Sequence, residues 1–486
     1  MAQVNENIDG VTQTTVAIVG GGIAGATLAL YLSELGIDVC LLEKGPSLVN
    51  GPPICHLHAG GNLYPEISDQ QCLTLLAQSI DLLRLYPYAA DYRPTVVALP
   101  VHYNGSPELL LPRLHKLQAE YQRLIAEEPL NKVLGESAHY FQLFERAELE
   151  LLALQAPVKK PQTLAQWMIP VARNVDLDML QFPLIMVQEY GLNLFRLAAS
   201  VSLALEKMPS CQLQLDTLVD NIVPLETAQG WLIDYQQAGT TRQLQCDYLI
   251  NAAGFRSGVL DDLLGFPRQR FLEFKAAYVT KWLACDCIWP EVIFYGERGT
   301  PNGMAQFTPY PGGYFQLHGM TDNITLFADG LVASTKHSAQ PKLAESFIDK
   351  IDKSWSAQEI SERTQAAIAH LTPYIPTFSA ANPASKPLFG AQQIPGGDPT
   401  LRAADVSFVG SRYARCEIVK ASSVLSVADA VTGQLIRLGY LHKDVYACRD
   451  FKITQSVTEK AIDKRAQQIV QQRDYPLSLA QRNICQ

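Results

Sequence analysis

Gly20, Gly22 and Gly25 stand in G-x-G-x-x-G spacing where the apolar run Val16–Val19 stops and the Ala/Leu-rich run Ile23–Leu35 begins. Glycines in this arrangement can hold a diphosphate. The first permits a tight turn out of a strand. The second has no Cβ, so main chain can approach a phosphate, and the third lets a helix pack closely on the sheet. A helix starting there, with Ile23 and Ala24 in its first turn, points unpaired N–H groups and partial positive charge at the anion. The dipole contribution alone is roughly 0.3–1 kcal/mol at exposed sites. Glu43 follows the next apolar run, Asp38–Leu42. A carboxylate there accepts hydrogen bonds from a ribose diol and repels a 2′-phosphate. Elsewhere, His56, His58 and His318 are imidazoles able to move a proton near neutral pH. Arg412 and Arg415 carry planar forks suited to a carboxylate.

Strand, helix, strand and acid occur in the order of a dinucleotide-binding β-α-β unit, against the plainer reading of an ordinary βαβ turn. The chain has 486 residues, 48% apolar and 18% charged. That composition is globular, and the length exceeds one simple core. A net charge of −9 argues against a nucleic-acid partner. The ten cysteines are dispersed and form no C-x-x-C pair, which reads as reduced thiols in a cytoplasmic protein. No metal-ligand pattern occurs. The polar N-terminus lacks a signal core, and no uncharged apolar run is long enough to span a membrane. Peripheral contact at the inner face of a membrane stays open. The Gly/Pro-rich stretch Asn50–Ser68 has the length and composition of a functional loop. Helices are expected over Gln70–Leu85, Leu109–Gln155, Leu194–Lys207, Lys342–His370 and Ala421–Leu438. Strands are expected over Thr95–Ala98, Val406–Val409 and much of Phe271–Val332.

Residues 16–45 resemble the FAD-binding entry of the glutathione-reductase-like flavoproteins. LINAAGFRSG (Leu249–Gly258) and the stretch from Lys386 to Ile436 resemble segments of their D-amino-acid-oxidase-like branch. The HAGGNLY segment is similar to that of 2-hydroxy-acid-oxidising members, the L-2-hydroxyglutarate dehydrogenases and malate:quinone oxidoreductases. The resemblance implies an α/β architecture. A Rossmann-like FAD domain would be assembled from 1–95, 185–265 and 375–440. A mixed α+β substrate domain would come from 96–184 and 266–374, with a helical extension over 441–486. It implies FAD contacts from Lys44, His58, Gly60, Gly61, Val219, Ala253, Gly254, Gly410, Lys420 and Ala421 beside those of the fingerprint. A cationic Lys420 at a helix start would stabilise charge on a reduced flavin.

The reaction implied is hydride removal from a C–H bearing a hydroxyl or amino group, with a 2-hydroxy acid favoured. Electrons would leave to oxygen, a quinone or another carrier. His56, His58 or His318 would take the proton, and Arg412 or Arg415 would meet the substrate carboxylate. The plainer alternatives are a hydrogen-bonded strand histidine for His318, and a surface position or pairing with Glu417 for the arginines. Tyr310 and Tyr314 line a pocket roof or pack in the core. A covalent flavin link through His56, His58, Cys55 or Cys416 stays open. The sequence departs from the branch at Arg412–Lys420, where glycines are usual, and at Lys386, where an arginine is common. Three other readings remain: an amine or biosynthetic tailoring oxidase, a flavin monooxygenase or halogenase, and a non-catalytic FAD-bound partner protein. The monooxygenase reading lacks its usual closing motif.

Overall fold

The structure, a computed structural model, describes residues 11–51, 67–225, 229–401, 405–447 and 451–482. Two sheets dominate it. In the first, strands Tyr413–Glu417, Thr240–Asn251, Thr12–Val19, Val39–Leu42 and Cys211–Gln214 lie side by side and parallel. Val19 is level with Asn251 and with Leu42, and Asn251 is level with Arg415, so the carboxyl ends of these strands form one edge. Ligands of open α/β sheets bind in the crevice beyond such an edge.

The first helix, Ile23–Glu34, is buried from Ile23 through Ser33. It packs on the sheet, on Leu194–Leu205 and on Val424–Arg437. Burial on every side explains its Ala/Leu-rich composition with no polar face.

The second sheet has ten strands among the described residues and is mostly antiparallel. Its centre is formed by Arg270–Lys281, Tyr314–Gly319, Ala305–Tyr310, Glu291–Phe294 and Thr95–Ala98. Alternation divides its faces. Phe307, Phe315, Leu317, Val292 and Phe294 pack outward into one apolar cluster. Tyr310, Ile293, Val97 and Val279 belong to another, which also contains Val16, Ile18 and the first helix. The second face therefore looks toward the nucleotide-type sheet.

Two strands sit differently from the sequence expectation. Leu388–Pro395, which falls in the expected FAD segment 375–440, runs antiparallel to Arg270–Lys281 in the second sheet. The stretch after Val409 forms a strand, Tyr413–Glu417, whose five residues are all buried. It is this strand, and not Asp405–Val409, that joins the parallel set; Asp405–Val409 is its antiparallel edge partner. The YARCE sequence hides the strand because its Arg and Glu are neutralised by partners far away in the chain.

Candidate active site

The three glycines have different surroundings. Gly20 has φ +108°, and a Cβ there would lie 2.4 Å from the Ala252 carbonyl oxygen. A Cβ on Gly25 would lie 2.0 Å from the Gly20 carbonyl oxygen. Both are required by the protein's own packing. A Cβ on Gly22 would meet nothing within 4 Å among the described residues. Gly22 is also the N-cap of the first helix and has no side-chain cap. The leading N–H groups of that helix, at Ile23 and Ala24, thus face a space that the described residues leave open, as a diphosphate requires.

Glu43 stands at the edge of that space. Its Oε2 accepts from Gly21 N at 2.6 Å and its Oε1 from Gly45 N at 2.7 Å. Burial holds its carboxyl above the ordinary value, while the two N–H bonds and the charges of Lys44 and Arg473 pull the other way. Each oxygen keeps a second lone pair for a ribose hydroxyl. Asp216 N and Thr217 N bond to the Gly45 and Glu43 carbonyls, which brings half-buried Val219 to the same side. Lys44 turns outward to Asp352 at 3.3 Å. Ala252 N bonds Val19 O at 2.9 Å, so Ala253 and Gly254, the latter with φ +59°, leave the sheet beside the glycine turn.

Lys420 precedes the short turn Ala421–Ser423 that opens Val424–Arg437. The Ser422 hydroxyl there is buried with no partner among the described residues. His56, His58, Gly60, Gly61 and Cys55 lie outside the described residues.

Three expected site residues are placed elsewhere. Gly410, φ +59°, makes the turn between Asp405–Val409 and Tyr413–Glu417. Arg412 bonds the Asp247 carbonyl at 3.3 Å, Gln229 Oε1 at 2.5 Å and the Tyr440 hydroxyl. Asp247 is four residues back from Asn251, away from the crevice. Arg415 is buried, with Nε donating to Asp261 Oδ1 at 2.6 Å. Glu417, the alternative partner considered for it, is taken by Arg270 at 2.9 Å and Arg268 at 2.7 Å. Arg270 also binds Asp261 at 2.5 Å. This buried cluster ties the Arg270–Lys281 strand to the nucleotide-type sheet. Its signal in the sequence was only a set of isolated charges in apolar surroundings. Cys416 is buried, and burial pushes its thiol far up, which leaves little thiolate to attack a flavin. Lys386 lies 3.9 Å from Asp474 and 5.0 Å from the Tyr475 ring centroid.

The inner face of the second sheet carries a row of buried polar groups. Gln306 pairs with His318 in register, Thr308 with Gln316, and Tyr310 with Tyr314. The Tyr310 hydroxyl donates to Gln316 Oε1 at 3.0 Å. The Gln316 amide nitrogen lies 3.1 Å from His318 Nε2. Because that nitrogen can only donate, His318 Nε2 is the unprotonated ring atom and the ring proton is on Nδ1. Gln306 Nε2 donates to Glu291 Oε1 at 2.6 Å, and Glu291 Oε2 accepts from Arg93 at 3.0 Å. Arg93 also pairs with Asp91. Sequence reasoning missed the Arg93–Glu291 pair, although an acid opening the apolar strand EVIF was a visible signal.

Residues 15–166 match the family profile described as "DAO: FAD dependent oxidoreductase". No curated protein sequence matches the chain. Among solved structures, L-amino acid deaminase from Proteus vulgaris superposes with a TM-score of 0.57 at 14% identity, covering 87% of this chain and 94% of that one. Glycine oxidase from Geobacillus kaustophilus gives 0.54 at 15% identity, with 87% and 94% covered. FAD-complexed glycerol-3-phosphate dehydrogenase from Bacillus halodurans gives 0.56 at 12% identity, with 96% and 73% covered. Over residues 15–166 the chain is similar to the FAD-dependent oxidoreductases of that family, and the likeness to these solved structures extends the same fold over most of the chain. It is an FAD-dependent oxidoreductase, and its cofactor is FAD. No helix among the described residues is long and apolar enough to cross a membrane, and no group of acids, histidines and cysteines among them could hold a metal ion.

Proposed function

We infer that the enzyme oxidises a small molecule at a C–H bearing an amino or hydroxyl group, bound between the flavin and the inner face of the second sheet. The observation that carries this reading is the buried Tyr310–Gln316–His318 row, on the face whose apolar neighbours share a core with Val16, Ile18 and the first helix. Bound FAD supplies the hydride acceptor for such a reaction. Gly22 and the first helix hold the diphosphate, Glu43 the ribose, and Ala253–Gly254 and the Lys420–Ala421 helix start flank the cofactor. His318 Nε2 takes the substrate proton once Gln316 rotates its amide away, and Tyr310 fixes the amide until then. The similarity of HAGGNLY to hydroxy-acid enzymes supports a 2-hydroxy acid. The names of several structural neighbours support an amino acid.

Anaerobic mixing with a panel of L- and D-2-hydroxy acids, amino acids and glycerol 3-phosphate tests the reading through loss of the oxidised flavin band. Bleaching by a hydroxy acid or an amino acid identifies the class. A flavin that stays oxidised across the panel defeats the proposal and favours the non-catalytic reading. Replacing His318 by Gln is expected to slow flavin reduction by about 100-fold or more, the usual share of a positioned base. FAD content should not change. An unaltered reduction rate would remove His318 from the chemistry.

FAD affinity is also expected to depend on pH through Glu43. The ionised carboxylate accepts from the ribose, and burial raises its pKa above 4.5. Protonation on acidification therefore weakens binding at a pH where an ordinary glutamate would still be charged. Titrating apo-protein with FAD from neutral to acid pH should show the dissociation constant rising before pH 4.5 is reached. The same titration on Glu43→Ala should lose that slope.

A further inference from the structure

The chain's C-terminal extension returns to the loop that follows Glu43. Helix Glu459–Gln472 buries Ile462, Ala466, Ile469 and Val470 and packs against Leu194–Leu205. The helix stops at Arg473, and Asp474 adopts a left-handed conformation, φ +53°. The reversal aims the Arg473 guanidinium at Ser47–Val49. Nη1 donates to the Val49 carbonyl at 3.1 Å; Nη2 donates to the Leu48 carbonyl at 2.5 Å and to Ser47 Oγ at 3.1 Å.

Two of those residues, Leu48 and Val49, bear directly on the glycine turn. Val49 N donates to the Gly21 carbonyl at 2.9 Å. Leu48, buried, closes the space beside Gly21, where a Cβ would lie 2.5 Å from Leu48 Cδ2. Val49 itself has φ +58°, a conformation that a β-branched residue holds only under constraint from its surroundings. The same hook reaches a second segment, since the Tyr475 hydroxyl donates to the Pro387 carbonyl at 2.7 Å. Arg473 and Tyr475 share a cleft of about 660 Å³ with Asn50, Gly51, Lys386 and Leu388. Burial lowers the Arg473 pKa to about 10, and the charge of Glu43 opposes that shift.

We propose that Arg473 is a positioning residue for the cofactor: it clamps Ser47–Val49 against the diphosphate turn, so that FAD affinity depends on the C-terminal extension. The proposal rests on FAD binding at the glycine turn. A planar fork serving three acceptors on one loop is geometry that a lysine cannot reproduce.

The test titrates flavin-stripped protein with FAD and follows flavin fluorescence, with thermal melts of the same apo-samples. Arg465 lies on the same helix and pairs with Glu206 at 2.6 Å, away from the loop, so Arg465→Met controls for simple loosening of the extension. Arg473→Met should raise the dissociation constant at least about tenfold, and Arg473→Lys about threefold, as charge without the fork supports the loop only partly. Arg465→Met should stay within about twofold of the parent even where its melting point falls as far. Equal loss of affinity in Arg473→Met and Arg465→Met overturns the proposal, as does parental affinity in Arg473→Met. Should Arg473→Met not fold, Arg473→Lys decides: weakened binding in a folded protein supports the clamp, and parental binding overturns it. A parent protein that fails to bind FAD overturns the cofactor site as well, whereas a binding parent with unaffected variants overturns the clamp alone.

Discussion

Gly22→Val is expected to leave a folded apo-protein that no longer retains FAD. The new side chain starts in open space, with no atom of the described residues within 4 Å of its Cβ. The backbone there, φ −61° and ψ 176°, is extended and suits any residue. The cost to the fold is that of a poorer helix cap, at most about 1 kcal/mol. The cost to the cofactor is larger, because the side chain fills the place of the diphosphate and separates it from the helix N–H groups. Losing hydrogen bonds to a charged group at about 1.5–3 kcal/mol each puts the loss of affinity at roughly 100-fold or more. Gly25→Ala should behave in the opposite way. Its methyl carbon would sit 2.0 Å from a backbone oxygen, so the helix must move off the sheet. Such overpacking costs about 1–3 kcal/mol and often more, and it should appear first in the melt of the apo-protein. Melting curves and FAD titrations of the two variants check the contrast. Parental FAD affinity in Gly22→Val would mean that no diphosphate lies at this turn.

Arg270→Met should destabilise the fold by about 3–5 kcal/mol, the range for removing one partner of a buried ion pair. Arg270, Asp261 and Glu417 are each fully buried. Arg270 donates to Glu417 at 2.9 Å, to Asp261 at 2.5 Å and to the Ala339 carbonyl at 3.1 Å. Its removal leaves two buried carboxylates short of a donor, and methionine fills volume without supplying one. Arg268 touches the same Glu417 but remains partly exposed, at 20%. Water replaces it, so Arg268→Met should cost under about 1 kcal/mol. Urea denaturation of both variants at neutral pH measures the difference. Equal, small losses would show that the cluster is not a lock between the two sheets.

Much of the candidate site can be read along the chain. The β-α-β unit is a local object: turn, helix start and acid lie within residues 16–45, so spacing alone carries them. The polar row on the second sheet is also written in the sequence, as the alternation of AQFTPY and YFQLHG. The expectation singled out His318, Tyr310 and Tyr314 there without using that period, which would have added Gln306, Thr308 and Gln316.

The amino-acid sequence by itself determined the nucleotide fold, the FAD fingerprint and the class of chemistry, because each depends on residues a few positions apart and on backbone rules that hold anywhere. Only the tertiary structure decided the partners of the charged residues. Arg415 meets Asp261 rather than a substrate, Glu417 is claimed by Arg270, and Arg473 reaches a loop more than four hundred residues earlier. Charge interactions are strong, isotropic and blind to chain separation. Which acid an arginine finds is therefore fixed by how strands register and helices dock, and no spacing rule in the sequence records that.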